Sequence, residues 1–257
     1  MAHGSAPALP ERIDDVIAYL DALTERSIVE NSRIGYFAAL YNRVTRAVRI
    51  GIQQRAFDDN ARMERLDVLF AGRYIDAAER FRRGEPITSS WKVAFDAAGD
   101  TGLSVFRHLI LGMNAHINLD LGIAAAAVVP SGGLDALQSD FNRINDVLGS
   151  LLPVVEAQLG EISPRLGVVT RAGHELDRID ERAGNFSMTT ARDGAWRLAQ
   201  RLSRLDSDVA RQFAITARDA ATALIATELR TYHAVGDIIS GPDGARIAEH
   251  IRILARL

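Results

Sequence analysis

The 257-residue chain contains no cysteine. That absence excludes a disulfide framework, a thiolate metal site, an iron–sulfur cluster and a cysteine nucleophile. Lysine is almost missing as well: of the 30 basic residues only Lys92 is lysine, a usage that points to a high-GC genome such as an actinobacterium's. No sign of charge dominates, because 33 acidic residues are interspersed with the 30 basic ones, for a net charge of -3 and a pI near 6.1. Without a basic face to neutralise phosphates, nucleic acid is not expected as a partner. The longest apolar run, Leu121 to Pro130, falls well short of the roughly 20 residues that span a bilayer, and is expected to be the buried end of a core helix. The opening MAHGSAPALPERIDD lacks the basic start and apolar stretch of a secretory signal. No membrane partner is expected, and the expected location is cytoplasmic. Gly-rich phosphate loops, nucleophile elbows and dinucleotide fingerprints are also absent, which argues against nucleotide-dependent chemistry.

What remains is ordinary globular composition, 47% hydrophobic and 25% charged, enough for a sizeable core without staples. Apolar residues recur at spacings of three and four along the whole chain, beginning with Ile13, Val16, Ile17 and Leu20, whereas alternating strand patterns and fixed-period repeats do not occur. The prediction is all-α: one multi-helix bundle over 1–257 with a buried central helix, residues 1–9 disordered, and 162–186 irregular and suited to cover a site. Helices are predicted over about 31–55 and 61–83. A shorter one, capped by Thr88 or Ser89, runs through Trp91 and Phe95. The central helix covers about 103–128, ending at Pro130-Ser131-Gly132-Gly133. Pro153 implies a kink or break in the helix over 134–159. Further helices are expected through Trp196 to Leu205, over about 207–232 and over 244–257. Arg33, Arg43, Arg46 and Arg49 are expected to point largely outward, and a homodimer through an exposed apolar stripe is compatible with a bundle of this size.

The central helix carries the chemical candidates. Between His108 and Asp120, polar side chains stand among positions that are otherwise almost all apolar. At about 100° per residue, His108, His116 and Asp120 share one side while Asn114 and Asn118 fall nearly opposite. A helix polar on two sides should be central, each polar side meeting a different neighbour. His116 and Asp120 are four apart and can converge on one point. The spacing suits a carboxylate-oriented histidine acting as acid/base, a divalent metal pair, or a structural hydrogen bond. Further metal ligands would come from His174, Glu175, Asp177, His233 or Asp237; no cofactor is otherwise evident. The remaining candidate ligand-binding residues are His108, Asn114, Asn118, Asp67, Arg73, Tyr74 and Trp196. Of these, Asp67 and Arg73 could pair with each other. Arg192 and Trp196, four apart, could stack. Gly112 suits close helix packing, Trp91 suits the core, and Asp140, Asn142, Asn145, His174 and His250 suit exposed positions.

At these residues the sequence resembles an uncharacterised, mostly actinobacterial family, domain-of-unknown-function family 5995, marked by a GMNAHIN-x-DL block. The likeness extends through RIDDVIAYLDAL, GYFAALYNRVT, MERLDVLFAGRYIDA, DFNRIN and ARDGAWRLA. The resemblance implies a helical fold and a site near His116, Asn118 and Asp120, with no activity to carry over. The functional expectation is a small-molecule enzyme, hydrolase or cyclase-like, acting on a largely apolar metabolite between helices. The alternatives are a non-catalytic ligand-binding protein and a metal-dependent enzyme with His116 and Asp120 as ligands.

Overall fold

The computed structural model describes residues 10–129, 133–163, 188–231 and 246–256, and every regular element among them is helical. The predicted all-α class is the observed one. Helices α1 (Ile13–Glu30) and α2 (Ile34–Gln53) form a hairpin. Its turn runs through Asn31 at φ 49°, the left-handed region that asparagine tolerates better than most side chains. Asp59 caps α3 (Asn60–Arg82) by accepting the Arg62 N–H at 2.9 Å. Next come α4 (Ser89–Asp96), a 3-10 turn Ala97–Gly99, and α5 (Val105–Ala115), capped by Ser104. A wide turn over His116–Asp120 leads without interruption into α6 (Leu121–Val128). The chain continues through α7 (Gln138–Ile162), α8 (Met188–Ser203), α9 (Asp208–Thr231) and α10 (Ile247–Ala255). Of the segment predicted to be irregular, 162–186, Ile162 instead ends α7, and the part from 164 on, like the predicted disordered residues 1–9, lies outside the described residues.

The stretch Val105–Val128 is long and apolar enough to cross a membrane by length and composition, yet 83% of its most apolar window is buried within the bundle. It packs against α2, α3, α4, α8 and α9, which explains why it lacks the single polar stripe of a surface helix. Two glycines let its neighbours approach closely. A Cβ on Gly112 would lie 2.6 Å from the Phe37 ring of α2, and one on Gly122 would lie 2.6 Å from the Ala195 carbonyl of α8. Apolar cores lie on several flanks: Met63, Leu111, Leu121 and Phe141 on one, Leu20, Phe37, Tyr74 and Trp91 on another, and Tyr36, Leu109 and Ile251 on a third.

Several local expectations give way to tertiary contacts. Thr88 occupies the cap position of α4 without a side-chain bond. Asp219 of α9 caps it instead, accepting from the Ser89 and Ser90 N–H groups at 2.7 and 2.9 Å and from the Ser90 hydroxyl. A carboxylate at a helix N-terminus also meets the positive end of the helix dipole. Asp140 is fully buried rather than exposed. It accepts the Asp58 and Asp59 backbone N–H groups and the guanidinium groups of Arg62 and Arg143, so it fastens α7 to the start of α3. His250 is likewise buried, against Tyr36, because α10 packs on α2. Arg43 is buried, whereas Arg46 and Arg49 reach outward to Asp21 and Asp14. Pro153 stands inside α7 without ending it.

Candidate functional site around the wide turn of the central helix

Where the polar block sits, the helix widens: the Leu121 N–H bonds to the His116 carbonyl, five residues back instead of four. Such π-helical turns are rare and frequently mark functional positions. They also shift the carbonyls and side chains of one turn out of ordinary register, so each side of the widened turn needs its own partners.

On the side facing α3 and α4, Asp120 is 1% exposed and engages both its oxygens. Arg73 donates its Nε–H to Oδ1 at 2.7 Å, and Trp91 donates its indole N–H to Oδ2 at 2.8 Å. His116 Nδ1 lies 3.4 Å from the same Oδ2, a long contact for a hydrogen bond. Nδ1–H donation to the carboxylate leaves Nε2 with a lone pair, and Nε2 is buried with no partner among the described residues. Burial pushes the His116 imidazole below its ordinary value, against the opposing pull of Asp120, so the ring is neutral. Aromatic rings surround it. Phe70 stacks on the imidazole with centroids 3.6 Å apart and planes 7° from parallel, and Tyr41 meets it edge-on at 4.5 Å. Phe37, Trp91 and Tyr74 complete the ring set at 5.7, 6.0 and 6.1 Å. Arg73 has 31% of its side chain exposed, so the ion pair with Asp120 joins this buried cluster to the surface.

Asp67 and Arg73 do not form the expected ion pair. The Arg73 guanidinium turns to Asp120, while Asp67 is buried with Oδ2 unpartnered among the described residues. The reason is angular: the two residues are six apart, and about 600° of helical rotation sends them to different sides of α3. Burial, with Glu64 adding to it, raises the Asp67 carboxyl to about 7. The hydroxyls of Tyr41, Thr45 and Tyr74 are also buried without partners.

On the opposite side the polar groups close on one another. Asn118 donates its amide to the Asn114 side-chain oxygen at 3.1 Å, and Asn114 donates to the Thr222 carbonyl of α9 at 3.0 Å. Arg218 of α9 donates to both the Asn118 carbonyl and its side-chain oxygen, at 2.7 and 2.8 Å. The guanidinium thereby satisfies a carbonyl within the widened turn.

The structure thus brings His116, Asp120, Arg73 and Tyr74 together, with Asp67 adjoining on α3. It holds Asn114 and Asn118 on the other side of the helix. His108 is buried beside Tyr36, their ring centroids 5.7 Å apart, in the Tyr36–Ile251 core. Trp196 packs on Phe141 at 4.8 Å, away from the aromatic set of His116. The expected Arg192–Trp196 stack is replaced, because Arg192 sits over the Phe141 ring at 4.4 Å and donates to the Phe141 carbonyl. His174, Glu175, Asp177, His233 and Asp237 lie outside the described residues, among which no group of three metal-ligating side chains occurs. Sequence reasoning passed over Trp91, Tyr41, Thr45 and Phe70 as site residues. Trp91 offered one signal, since a buried indole N–H normally needs an acceptor.

A family model described as a family of unknown function (DUF5995) matches residues 13–232. The chain belongs to this family. The DUF5995 match spans α1 through α9, so both polar sides of the widened turn lie inside it. No curated protein and no solved structure matches the chain.

Proposed function

We propose that this DUF5995 protein is a small-molecule enzyme in which His116 is the acid/base and Asp120 orients it, acting on a largely apolar metabolite between helices. The observation that carries the reading is the asymmetry of the imidazole. Nδ1 faces a carboxylate that Arg73 and Trp91 hold in place, while Nε2 is buried with no hydrogen-bond partner among the described residues. A structural histidine would be expected to use both nitrogens, since an unsatisfied buried polar atom costs about 1–3 kcal/mol. An imidazole kept neutral, with one nitrogen tied to an acid, has its other lone pair ready to take a proton near neutral pH. The flanking rings of Phe37, Tyr41, Phe70, Tyr74 and Trp91 favour an apolar or aromatic substrate body. A cytoplasmic setting and a hydrolase or cyclase-like reaction suit this make-up. The donor set weighs against reading His116 and Asp120 as metal ligands, because a divalent ion on Asp120 would have to compete with the Arg73 guanidinium and the indole N–H for the same two oxygens.

The test is activity-based metabolite profiling with purified wild type and His116→Gln, both checked for helicity by circular dichroism. Consumption of a metabolite by wild type and its loss in His116→Gln support the reading. Equal consumption by both removes His116 from the chemistry. Tight binding of an unconverted metabolite would make the protein a binding module at the same site.

A further inference from the structure

We propose that Asp67, Tyr41 and Thr45 form a subsite for a protonated amine, so that the metabolite meeting His116 is an amphipathic amine. This inference rests on the reading of the His116 pocket as a ligand site.

Two buried acids on this chain are treated in opposite ways by their surroundings. Asp140, 0% exposed, receives two backbone N–H groups and two guanidinium groups. Asp67, 8% exposed, has no hydrogen bond or ion pair among the described residues. The charged neighbour that acts on it is Glu64, one turn back on α3 and of the same sign. Two hydroxyls share its isolation. Tyr41 and Thr45 stand one turn apart on α2, 4% and 0% exposed, and among the described residues neither hydroxyl has a partner beyond the weak contact they make with each other. The Tyr41 hydroxyl has the Thr45 hydroxyl beside it, and Asp67 is the acid that acts on it most strongly. Asp67 on α3 and the Tyr41–Thr45 pair on α2 thus bring polar oxygens from two helices that pack together through the Tyr41 and Phe70 rings, and the Tyr41 ring lies 4.5 Å from His116.

All three oxygens can accept from an occupant that brings hydrogen-bond donors, and a positive charge on that occupant would answer an acid that lacks one. An ammonium group does both, having three donors and no acceptor. The faces of Tyr41 and Phe70, centroids 5.9 Å apart, are of the kind that attract cations. Asp67 must ionise to hold an amine. With its carboxyl raised to about 7 in the empty site, amine affinity should fall as pH drops below that value, because binding then expels a proton. The groups bearing on this titration are Glu64 from α3, Tyr41 and Thr45 from α2, and Asp120 from the central helix, which acts on Tyr41.

The experiment compares benzylamine with benzyl alcohol, matched in ring and size, by calorimetric titration of the full chain at pH 8 and pH 6. Benzylamine is expected to bind at least about tenfold more tightly than the alcohol at pH 8. That preference should shrink at pH 6 and vanish in Asp67→Asn, which is expected to fold because Asp67 anchors nothing. Thr45→Val should weaken the amine several-fold, while His116→Phe should leave the preference intact. Equal affinity for the two probes, or an amine preference that survives Asp67→Asn, overturns the proposal. Binding of neither probe also overturns it and leaves buried water as the occupant. The turnover comparison on His116→Gln decides the catalytic reading separately.

Discussion

The two sides of the central helix solve the same problem in opposite ways. Toward α9 the polar side chains are answered: Asn118 by Asn114 and Arg218, and Asn114 by Thr222. Toward α2 and α3, Asp120 is answered by Arg73 and Trp91, but among the described residues His116 Nε2, Asp67 Oδ2 and the Tyr74 hydroxyl have no partner, and the Tyr41 and Thr45 hydroxyls have none beyond each other. Buried polar groups occur on both sides, so burial alone does not separate them. Pairing does. A paired buried network fixes helix register and geometry, whereas unpaired buried groups cost stability and persist where a ligand or a reaction repays them.

The comparison can be broken by substitution. The largest effect is expected from Asp120→Ala, which strands Arg73, Trp91 and His116 at once. A loss of about 3–5 kcal/mol in urea unfolding is predicted, and a loss below about 1 kcal/mol would mean that the carboxylate does not organise its side. Next comes Arg218→Ala, which leaves two Asn118 oxygens unanswered and should cost about 2–3 kcal/mol. If the sides are independent, its stability loss should add to that of His116→Phe.

Asp67→Asn should act in the opposite direction. The folded carboxyl titrates at about 7, above its unfolded value near 3.8. The native state therefore holds a proton that the unfolded chain has lost through that window, and stability falls as pH rises from about 4 to about 7 before levelling off. Removing the acid should abolish this falling limb and raise stability at pH 8 by on the order of 2 kcal/mol. Thermal melts across pH check both the sign and the window.

The smallest stability change is expected from His116→Phe, within about 1 kcal/mol, because the substitution places a ring among rings and removes an unsatisfied nitrogen. Since the native imidazole is held below its ordinary value, the wild type should lose stability as pH drops below about 6.5, where the unfolded chain takes up the proton. His116→Phe should remove that acid limb while abolishing turnover. A stability loss comparable to that of Asp120→Ala would make His116 structural.

How much of this was legible beforehand varies by residue. The spacing of His116 and Asp120, and the opposite placement of Asn114 and Asn118, follow from about 100° of rotation per residue. The widened turn changes the backbone bonding without undoing that separation. The Arg73–Asp120 contact joins residues 47 apart in the chain, and no local pattern distinguishes it from the Asp67–Arg73 pair that the sequence suggested. Trp91 read as core and is core, 1% exposed; its donation to Asp120 depends on where α4 docks. Asp140 and His250 read as exposed because their neighbours in sequence are polar, yet each lies under a helix from elsewhere in the chain.

By itself the sequence determined the all-α class, most helix extents to within a few residues, and the burial of the central helix. All of these follow from local propensity, apolar periodicity and the glycines and prolines that punctuate them. Only the tertiary structure decided which polar groups are paired and which are left open. A hydrogen bond between helices depends on how two distant surfaces dock, and the energy of burying a group is set by its neighbours in space rather than in sequence.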